Sequence, residues 1–360
     1  MTYTNLEINA VRQYCEDTFI KRGFSRQESA DIMDVLIMAD LYGIESHGIQ
    51  RLIRYHQAID EGSILPDAKP EIVFETAVSA VIKAPNSIGQ VVAKTSMKMA
   101  IDKAKETGFG VVVVRESNHF GIAGYYTSMA ADSDLMGLCM TNTEAIAVPT
   151  FGRKAMLGTN PIAVCMPADP VNFWYDAATT VVTRGKLEVY RKKKIPLPHG
   201  WASDENGQDC ADAQRVLNNI IGKSGGGIFP IGGWAENSGS HKGYGLGLIV
   251  ELFTSIFAGG TPSPHVKNSG NGNTSFCFLA IDYGIFGDKK EIRQRVSALL
   301  QELRDSPKAE GHTRIYSHGE KEVESKNDKI KTGIPVNDQT LTELKMIGER
   351  CGLTFADYFS

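Results

Sequence analysis

Glycine is concentrated in one part of this sequence, since 14 of its 36 glycines fall between Gly222 and Gly272. Glycine weakens the interiors of helices and strands, and it permits left-handed turns and close approach of two backbones. The pattern predicts a loop over residues 204–239, followed by a helix over residues 242–258 that has a glycine-rich start. A nucleotide-binding glycine loop would have a similar composition.

The spacing of three of these glycines argues against the classical dinucleotide fingerprint. Gly243, Gly245 and Gly247 approach the pattern Gly-x-Gly-x-x-Gly, but the third glycine is one residue early and no predicted strand precedes them. The first turn of a helix still offers free N–H groups and a partial positive charge, which Lys242 would reinforce. This start therefore suits a bound phosphate or tight packing of the helix, and the sequence leaves both open.

Helical and β patterns alternate along the rest of the chain. Capped or amphipathic helices are predicted over residues 46–59, 88–106, 122–131, 289–303 and 337–350. Apolar or β-branched runs predict strands over residues 111–114, 135–142, 161–166 and 275–281. A length of 360 residues allows two packed units. The sequence predicts a mixed α/β centre with helical surroundings from both chain ends.

Composition and charge exclude several classes of protein. No apolar run approaches the roughly 18 to 20 residues of a membrane-spanning helix, and a net charge of -4 offers no basic surface for nucleic acid. The basic run at residues 191–194 is typical of an exposed helix end. The six cysteines contain no Cys-x-x-Cys pair, so we expect a reducing cytoplasm and no metal site.

Two histidines lie in polar segments bounded by glycine. In the first segment, residues 45–51, His47 and Arg51 are four residues apart and would share one face of a helix. An arginine can bind a carboxylate through two hydrogen bonds while a nearby imidazole exchanges a proton. The pair would suit a 2-oxo or 2-hydroxy acid, although a helix start with a surface ion pair also explains the spacing.

The second histidine, His119, follows the predicted valine strand in the segment Glu-Ser-Asn-His-Phe-Gly. Loops at strand ends often carry reactive side chains, and an imidazole there could act as an acid or a base. His119 could equally cap the next helix. The pairs Asn142-Thr143 and Thr159-Asn160 lie at strand ends too, where ligand binding and turn formation are both open alternatives.

Four motifs in this order resemble those of the malate/L-lactate dehydrogenase family that is unrelated to the Rossmann-type enzymes. The motifs are Ser46-His47-Gly48, Asn118-His119-Phe120-Gly121, Gly158-Thr159-Asn160-Pro161 and His241-Lys242-Gly243-Tyr244-Gly245-Leu246. The resemblance covers almost the whole chain. It implies a non-Rossmann NAD(P)-binding fold of mixed α/β class, with a largely antiparallel sheet flanked by helices from both chain ends.

The resemblance also implies a division of the chain and an assembly. Residues 1–75 plus 285–360 are expected to form a helical substrate and dimer region, and residues 76–284 a cofactor-binding mixed α/β region. Members of the family are commonly homodimers with the active site near the subunit interface.

The activity that the resemblance implies is hydride transfer between NAD or NADP and a small 2-oxo or 2-hydroxy acid. Malate and oxaloacetate are the first choice; lactate, ureidoglycolate and sulfolactate stay open, as do a cofactor-free histidine-dependent lyase and a non-catalytic binding protein.

The expected catalytic residues are His119, His47 and Arg51, with His119 favoured for proton exchange. The expected substrate-binding residues are Ser46, Thr159 and Asn160. The expected cofactor-binding residues are Asn142, Thr143, Asp176, Ala177, Ala178, Lys242, Gly319, Glu320 and Lys321.

Overall fold

A seven-stranded sheet lies at the centre of the computed structural model, which describes residues 2–267 and 272–359. The strands in these residues are β1 (Tyr3–Leu6), β2 (Glu71–Glu75), β3 (Ser79–Lys83), β4 (Phe109–Ser117), β5 (Met136–Thr141), β6 (Ile162–Met166), β7 (Phe173–Ala177), β8 (Ala202–Ser203), β9 (Gly227–Ile228), β10 (Thr274–Ile281) and β11 (Ile334–Asn337). The order in the central sheet is β2-β3-β4-β10-β5-β6-β7, and β3 with β4 is its one parallel pair. The predicted mixed α/β class with a largely antiparallel sheet is confirmed.

Helices cover both faces of this sheet. They are α1 (Ile8–Lys21), α2 (Arg26–Leu41), α3 (Leu52–Asp60), α4 (Gly89–Thr107), α5 (Ala123–Asp132), α6 (Arg184–Lys193), α7 (Ala213–Gly222), α8 (Ser240–Glu251), α9 (Lys289–Asp305), α10 (Glu320–Thr332) and α11 (Asp338–Arg350). On one face, α4 and α5 pack against Val112, Val114 and Phe278. On the other, Val250 at the end of α8 packs against Val113 and Cys277. Because both faces are buried, β4 is a nearly continuous run of valines.

The two ends of the chain meet in a second core. Strands β1 and β11 pair in antiparallel register, with Tyr3 opposite Asn337 and Leu6 opposite Ile334. The α1 residue Tyr14 is fully buried there, and its hydroxyl donates a hydrogen bond to a backbone carbonyl of α11 at 2.7 Å. Residues from α1, α2, α3 and α11 share this core. The division of the chain into two regions stays a prediction.

The segment predicted as a loop over residues 204–239 contains a helix, so that prediction is wrong in part. Asp212 caps α7, since its carboxylate accepts hydrogen bonds from the backbone N–H groups of Gln214 and Arg215 at 2.9 and 3.1 Å. The apolar side chains Val216, Leu217 and Ile220 pack against Leu187 of α6. A cap followed by apolar residues one turn apart was the signal in the sequence, and the glycines on either side obscured it.

None of the described helices is long and apolar enough to cross a membrane. The described residues contain no group of three or more His, Cys, Asp or Glu side chains placed to hold a metal ion. All six cysteines are free thiols, and five of them are buried.

Candidate active site

The segment 45–51 is held by a carboxylate of the preceding helix. It forms two turns of 3₁₀ helix, and the predicted α-helix begins only after Arg51. The Asp40 carboxylate accepts a hydrogen bond at 2.8 Å from the backbone N–H that follows Gly48. A Cβ atom at Gly48 would collide with this carboxylate, which explains the glycine. Two 3₁₀ turns anchored by Asp40 therefore replace the predicted helical face, and they set the direction of the His47 and Arg51 side chains.

His119 lies in the loop that follows β4. The side-chain amide of Asn118 donates hydrogen bonds to two backbone carbonyls at 2.9 and 3.0 Å and fixes this loop. The Tyr55 hydroxyl lies 2.7 Å from His119 Nδ1, and the N–H of Gly121 donates to the same nitrogen at 3.4 Å. The imidazole is thus held through Nδ1, which leaves Nε2 available to a ligand.

The two histidines face the same cavity. The centres of the His47 and His119 rings are 5.4 Å apart, and their planes are inclined by 30°. The cavity has a volume of about 380 Å³, which suits a small polar metabolite. Its lining includes six of the residues expected from the sequence: Ser46, His47, Arg51, His119, Thr143 and Thr159.

Burial and positive charge keep both imidazoles neutral near pH 7. Burial, with a smaller effect of Arg51 and Arg54, lowers the pKa of His47 to about 4. Burial and then the charge of Arg54 hold the pKa of His119 well below its usual range. A neutral imidazole can donate a hydrogen bond through one nitrogen and accept one through the other.

Arg54 is a cavity residue that the sequence analysis did not identify. It follows Arg51 by three residues, so the first turn of α3 directs both side chains to the same cavity. Within the described residues, Arg54 makes no hydrogen bond or ion pair with another side chain, and burial lowers its pKa. The pattern Arg-x-x-Arg was the available signal, and it lies just outside the Ser-His-Gly motif.

The acidic groups of the cavity already have cationic partners. Glu188 forms an ion pair with Arg184 at 3.1 Å, and Glu144 forms one with Lys223 at 3.0 Å. Arg54 forms no ion pair within the described residues, although the charge of Glu144 acts to raise its pKa. An anionic ligand would supply the missing partner.

A buried network lies behind the cavity wall and includes two of the predicted residues. Asn142 and Asn160 are fully buried. The amide of Asn160 donates to Glu251 at 3.0 Å, and its oxygen accepts from the N–H of Thr143 at 3.3 Å. Thr143 in turn accepts from the N–H of Thr159 at 3.0 Å. The two asparagines thus support the wall that the threonines form, and this burial does not support direct contact of their side chains with a ligand.

Three predicted cofactor residues, Asp176, Ala177 and Ala178, lie at and just beyond the end of β7 and outside the lining of the histidine cavity. The Asp176 carboxylate accepts a hydrogen bond from the N–H of Gly124 at 2.7 Å, at the start of α5. Burial raises its pKa to about 6. This helix start is therefore occupied by a carboxylate of the chain itself.

Lys242 is exposed in the first turn of α8, and no side chain caps this turn. Gly239 precedes it in a left-handed conformation, with φ of 92°. A Cβ atom at Gly243 would collide with the backbone of Ile231, so close packing accounts for this glycine. A phosphate at Lys242 stays a prediction that the exposed, uncapped helix start permits.

The predicted turn over residues 319–321 opens α10 and lies beside β7. The N–H of Trp174 donates to the carbonyl of His318 at 3.1 Å. Glu320 is buried and forms ion pairs at 3.2 Å with Arg304 and Arg314. This turn is outside the lining of the histidine cavity, and Glu320 has a structural role at the helix start.

Comparison with known proteins gives concordant matches along the chain. The model of the malate/L-lactate dehydrogenase family matches residues 6–345. A malate dehydrogenase of Pyrococcus abyssi is 42% identical over 92% of this chain and 91% of its own length. An L-sulfolactate dehydrogenase of Methanocaldococcus jannaschii is 37% identical over 95% of this chain and 96% of its own.

A solved structure agrees with these sequence matches. The crystal structure of malate dehydrogenase from Entamoeba histolytica superposes with a TM-score of 0.94 and 35% identity, covering 98% of this chain and 99% of that one. Sequence and fold agree over nearly the full length, so this chain belongs to the malate/L-lactate dehydrogenase family.

Proposed function

We propose that this protein is an NAD(P)-dependent oxidoreductase that interconverts a 2-oxo acid and a 2-hydroxy acid, with oxaloacetate and malate as the preferred pair. The observation that carries the proposal is the cavity in which two neutral imidazoles and two neighbouring guanidinium groups meet. Imidazoles can exchange the proton of the substrate oxygen, and guanidinium groups can bind its carboxylates.

Of the two histidines, His119 has the geometry that best suits proton exchange. Its Nδ1 is engaged by Tyr55 and Gly121, so its Nε2 is the nitrogen available to the oxygen on C2. His47 is engaged at Nδ1 by its neighbour Ser46 at 2.8 Å, and it borders the same space. We assign the proton exchange to His119 and the orientation of the substrate to His47.

The two arginines suit the two ends of a dicarboxylate. Arg51 Nε donates to the carbonyl of Ser46 at 2.5 Å, which orients the guanidinium while its terminal nitrogens stay available to the carboxylate on C1. Arg54 has no such partner, and we assign it to the anionic group at the other end of the substrate. Lactate lacks that second anion, so this assignment favours malate or sulfolactate.

A nicotinamide cofactor fits polar groups of the cavity wall and features of the chain outside its lining. When bound, it supplies or accepts the hydride at C2 of the substrate. Thr143 and Thr159 present polar groups at the cavity wall, and the uncapped start of α8 with Lys242 suits a phosphate. We propose that these residues, the segment 176–178 and the turn 319–321 contact the cofactor.

Purified protein is expected to oxidise NADH or NADPH when a dicarboxylic 2-oxo acid is present. The absorbance of the reduced cofactor is followed with oxaloacetate, 3-sulfopyruvate, pyruvate and 2-oxoglutarate as substrates. We expect the highest kcat/KM with oxaloacetate or 3-sulfopyruvate, because each has a second anionic group within reach of Arg54.

Binding of the cofactor is measured separately through nicotinamide fluorescence. A protein that binds neither NADH nor NADPH would contradict the proposed function. A protein that binds one of them without reducing any 2-oxo acid would contradict the proposed substrate class alone. Preference for pyruvate would contradict the role given to Arg54.

An exposed apolar face on α8 and the π-helical turn after it supports a homodimer. The side chains on this face are 41 to 59% exposed, and they are Leu248, Ile249, Leu252, Ile256 and Phe257. A contiguous apolar surface of this kind is typical of a protein interface. Its position beside the buried network of Glu251 would bring a second copy close to the active site.

Light scattering is expected to give twice the chain mass of 39.3 kDa. The substitution Ile256→Glu should shift the protein to the monomer, since it places a charge in the proposed interface. Ile72→Glu is the matched control, because Ile72 is similarly exposed on strand β2. A wild-type monomer, or equal effects of both substitutions, would contradict a dimer formed through α8.

We also propose a division of the chain into two regions and a cellular compartment for the protein. The pairing of β1 with β11 supports a helical region of residues 1–75 plus 285–360 that contributes to the substrate site, beside a cofactor region of residues 76–284. The dimer face that we propose on α8 belongs to the cofactor region rather than to the helical region expected from the sequence. Contacts cross this division at several places; for example, Arg293 of α9 forms an ion pair with Asp169 at 2.8 Å. The six free thiols support a reducing cytoplasm.

A further inference from the structure

The hydrogen bonds at His119 determine which ring nitrogen carries its hydrogen. A backbone N–H can only donate, and the N–H of Gly121 points to Nδ1 at 3.4 Å. Nδ1 is therefore an acceptor, and the hydrogen of the neutral ring lies on Nε2. The Tyr55 hydroxyl, 2.7 Å from Nδ1, must then donate to it as well.

Tyr55 is suited to this role by its surroundings. It is only 1% exposed, and burial raises its pKa to about 12, so the phenol keeps its hydrogen in the resting protein. The charges of Arg54 and Arg51 act in the opposite direction and stabilise a phenolate. The carboxamide of Gln90 also lowers this pKa, although neither of its polar atoms has a partner at hydrogen-bond distance in the described part of the chain.

The unpartnered amide of Gln90 is a second observation at the same place. Gln90 is fully buried at the start of α4. A buried amide without a hydrogen bond costs free energy, and such groups in folded proteins usually have a partner in some state of the protein. A phenolate on Tyr55 would be a strong acceptor close to this amide.

We propose that Tyr55 is a positioning residue that fixes the tautomer of His119 and supplies the second proton of a relay through it. The proposal rests on the proposed function and extends it. In the direction of reduction, the Nε2 hydrogen of His119 moves as a proton to the alkoxide oxygen on C2. The hydroxyl hydrogen of Tyr55 moves as a proton to Nδ1. The ring stays neutral, the substrate becomes a hydroxy acid, and Tyr55 becomes a phenolate. After turnover, Nε2 takes a proton from water and Nδ1 returns its hydrogen as a proton to the phenolate, which restores the resting tautomer.

The relay solves a difficulty that the electrostatics of the cavity create. A neutral ring that lost the Nε2 proton alone would become an imidazolate, and a cationic ring is disfavoured by burial and by the charges nearby. Transfer from Tyr55 avoids both charged forms of the ring. The titratable or charged groups that border the pair are His47, Arg51, Arg54, Glu61, Glu144 and Lys267.

The test compares Tyr55→Phe with Tyr126→Phe in steady-state reduction of the best 2-oxo acid found for the wild type. Tyr126 is the control because it is another fully buried tyrosine, and its hydroxyl donates to the carbonyl of Phe120 next to His119. Above pH 7, we expect Tyr55→Phe to lower kcat by about 10- to 100-fold with little change in KM. Tyr126→Phe should leave the shape of the pH profile unchanged.

The pH profile distinguishes a relay from a structural role. Without Tyr55, His119 must carry both protons before it can donate one, so kcat should fall about tenfold for each pH unit above its lowered pKa. The wild type should keep its rate through the neutral range. The rate is also measured in mixtures of light and heavy water. A plot of the wild-type rate against the deuterium fraction of the solvent should be curved, because two protons move, and the plot for Tyr55→Phe should be linear.

A readout without catalysis keeps the tautomer testable by itself. Nitrogen-15 NMR of the free protein, with His119 signals assigned by their loss in His119→Gln, should show hydrogen on Nε2 in the wild type. In Tyr55→Phe the share of the Nδ1 tautomer should rise, because only the long hydrogen bond from the N–H of Gly121, at 3.4 Å, still favours hydrogen on Nε2. Hydrogen on Nδ1 in the wild type, or an unchanged pH profile in Tyr55→Phe, would overturn the inference. Absence of any NAD(P)H-dependent turnover by the wild type would instead overturn the proposed function, and the relay with it.

Discussion

Replacement of His119 by glutamine is expected to lower kcat for reduction of a 2-oxo acid by about 10²- to 10⁴-fold, the usual contribution of a general acid. Glutamine is close to histidine in size and can still donate a hydrogen bond to the substrate oxygen, but it cannot transfer a proton at neutral pH. Binding of the substrate should therefore persist, with KM changed by less than about threefold. Steady-state kinetics at several concentrations of cofactor and substrate separate the two effects.

The control for this experiment is His47→Gln. His47 borders the same cavity and is also neutral, but among the described residues its Nδ1 is engaged by the adjacent Ser46 alone. We expect a larger change in KM than in kcat, because its assigned role is to orient the substrate. Loss of kcat in His47→Gln with near-normal rates in His119→Gln would transfer the proton exchange to His47. Fluorescence titration with the reduced cofactor checks that both variants retain their fold.

The motifs of the sequence located the cavity because each anchors its own backbone. The glycine after His47 is required by the Asp40 carboxylate, and the asparagine before His119 fixes the loop through two carbonyls. The carbonyls that Asn118 binds belong to the distant residues Ser63 and Ser87, but the motifs themselves are visible in a single sequence. They bring Ser46, His47, Arg51, His119, Thr143 and Thr159 to one cavity from four distant segments.

The residues that the sequence did not reveal act through the tertiary structure. Arg54 and Tyr55 belong to α3, where an arginine and an aromatic residue are compatible with an ordinary amphipathic helix. Their importance depends on what faces them, namely a cavity in which Arg54 forms no ion pair with a described residue, and the Nδ1 atom of His119. For the same reason, the sequence could not distinguish Asn160, which is buried beside Glu251, from a residue that touches a ligand.

The glycine-rich segment shows a similar limit. The sequence left phosphate binding and tight packing both open for the start of this helix, and the close approach of Gly243 to the backbone of Ile231 supports packing at that glycine. A collision of this kind involves two parts of the chain that are adjacent only after folding. The role of Lys242 in the same turn stays a prediction, which agrees with its exposed side chain and with the absence of a side-chain cap at this helix start among the described residues.

The substitution Arg54→Gln is expected to lower kcat/KM for oxaloacetate by about 10²- to 10³-fold, the usual cost when one partner of a buried charge pair is removed. The reason is that Arg54 makes no ion pair within the described residues, so the distal carboxylate of the substrate is its proposed partner. The rate with pyruvate should change by less than about threefold, since pyruvate has no distal carboxylate. The ratio of the two kcat/KM values measures the effect.

Two further variants show whether charge or hydrogen-bond geometry is responsible. Arg54→Lys keeps the positive charge without the planar fork, so it should recover part of the activity with oxaloacetate. Arg184→Gln is the matched control on the same cavity, and it should have a smaller effect because Glu188 already neutralises Arg184. Equal losses with oxaloacetate and pyruvate in Arg54→Gln would assign Arg54 to the carboxylate that both substrates share. If Arg54→Gln loses no activity and leaves the ratio of the two kcat/KM values unchanged, Arg54 does not belong to the substrate site. A preference for a dicarboxylate would then depend on another cationic residue.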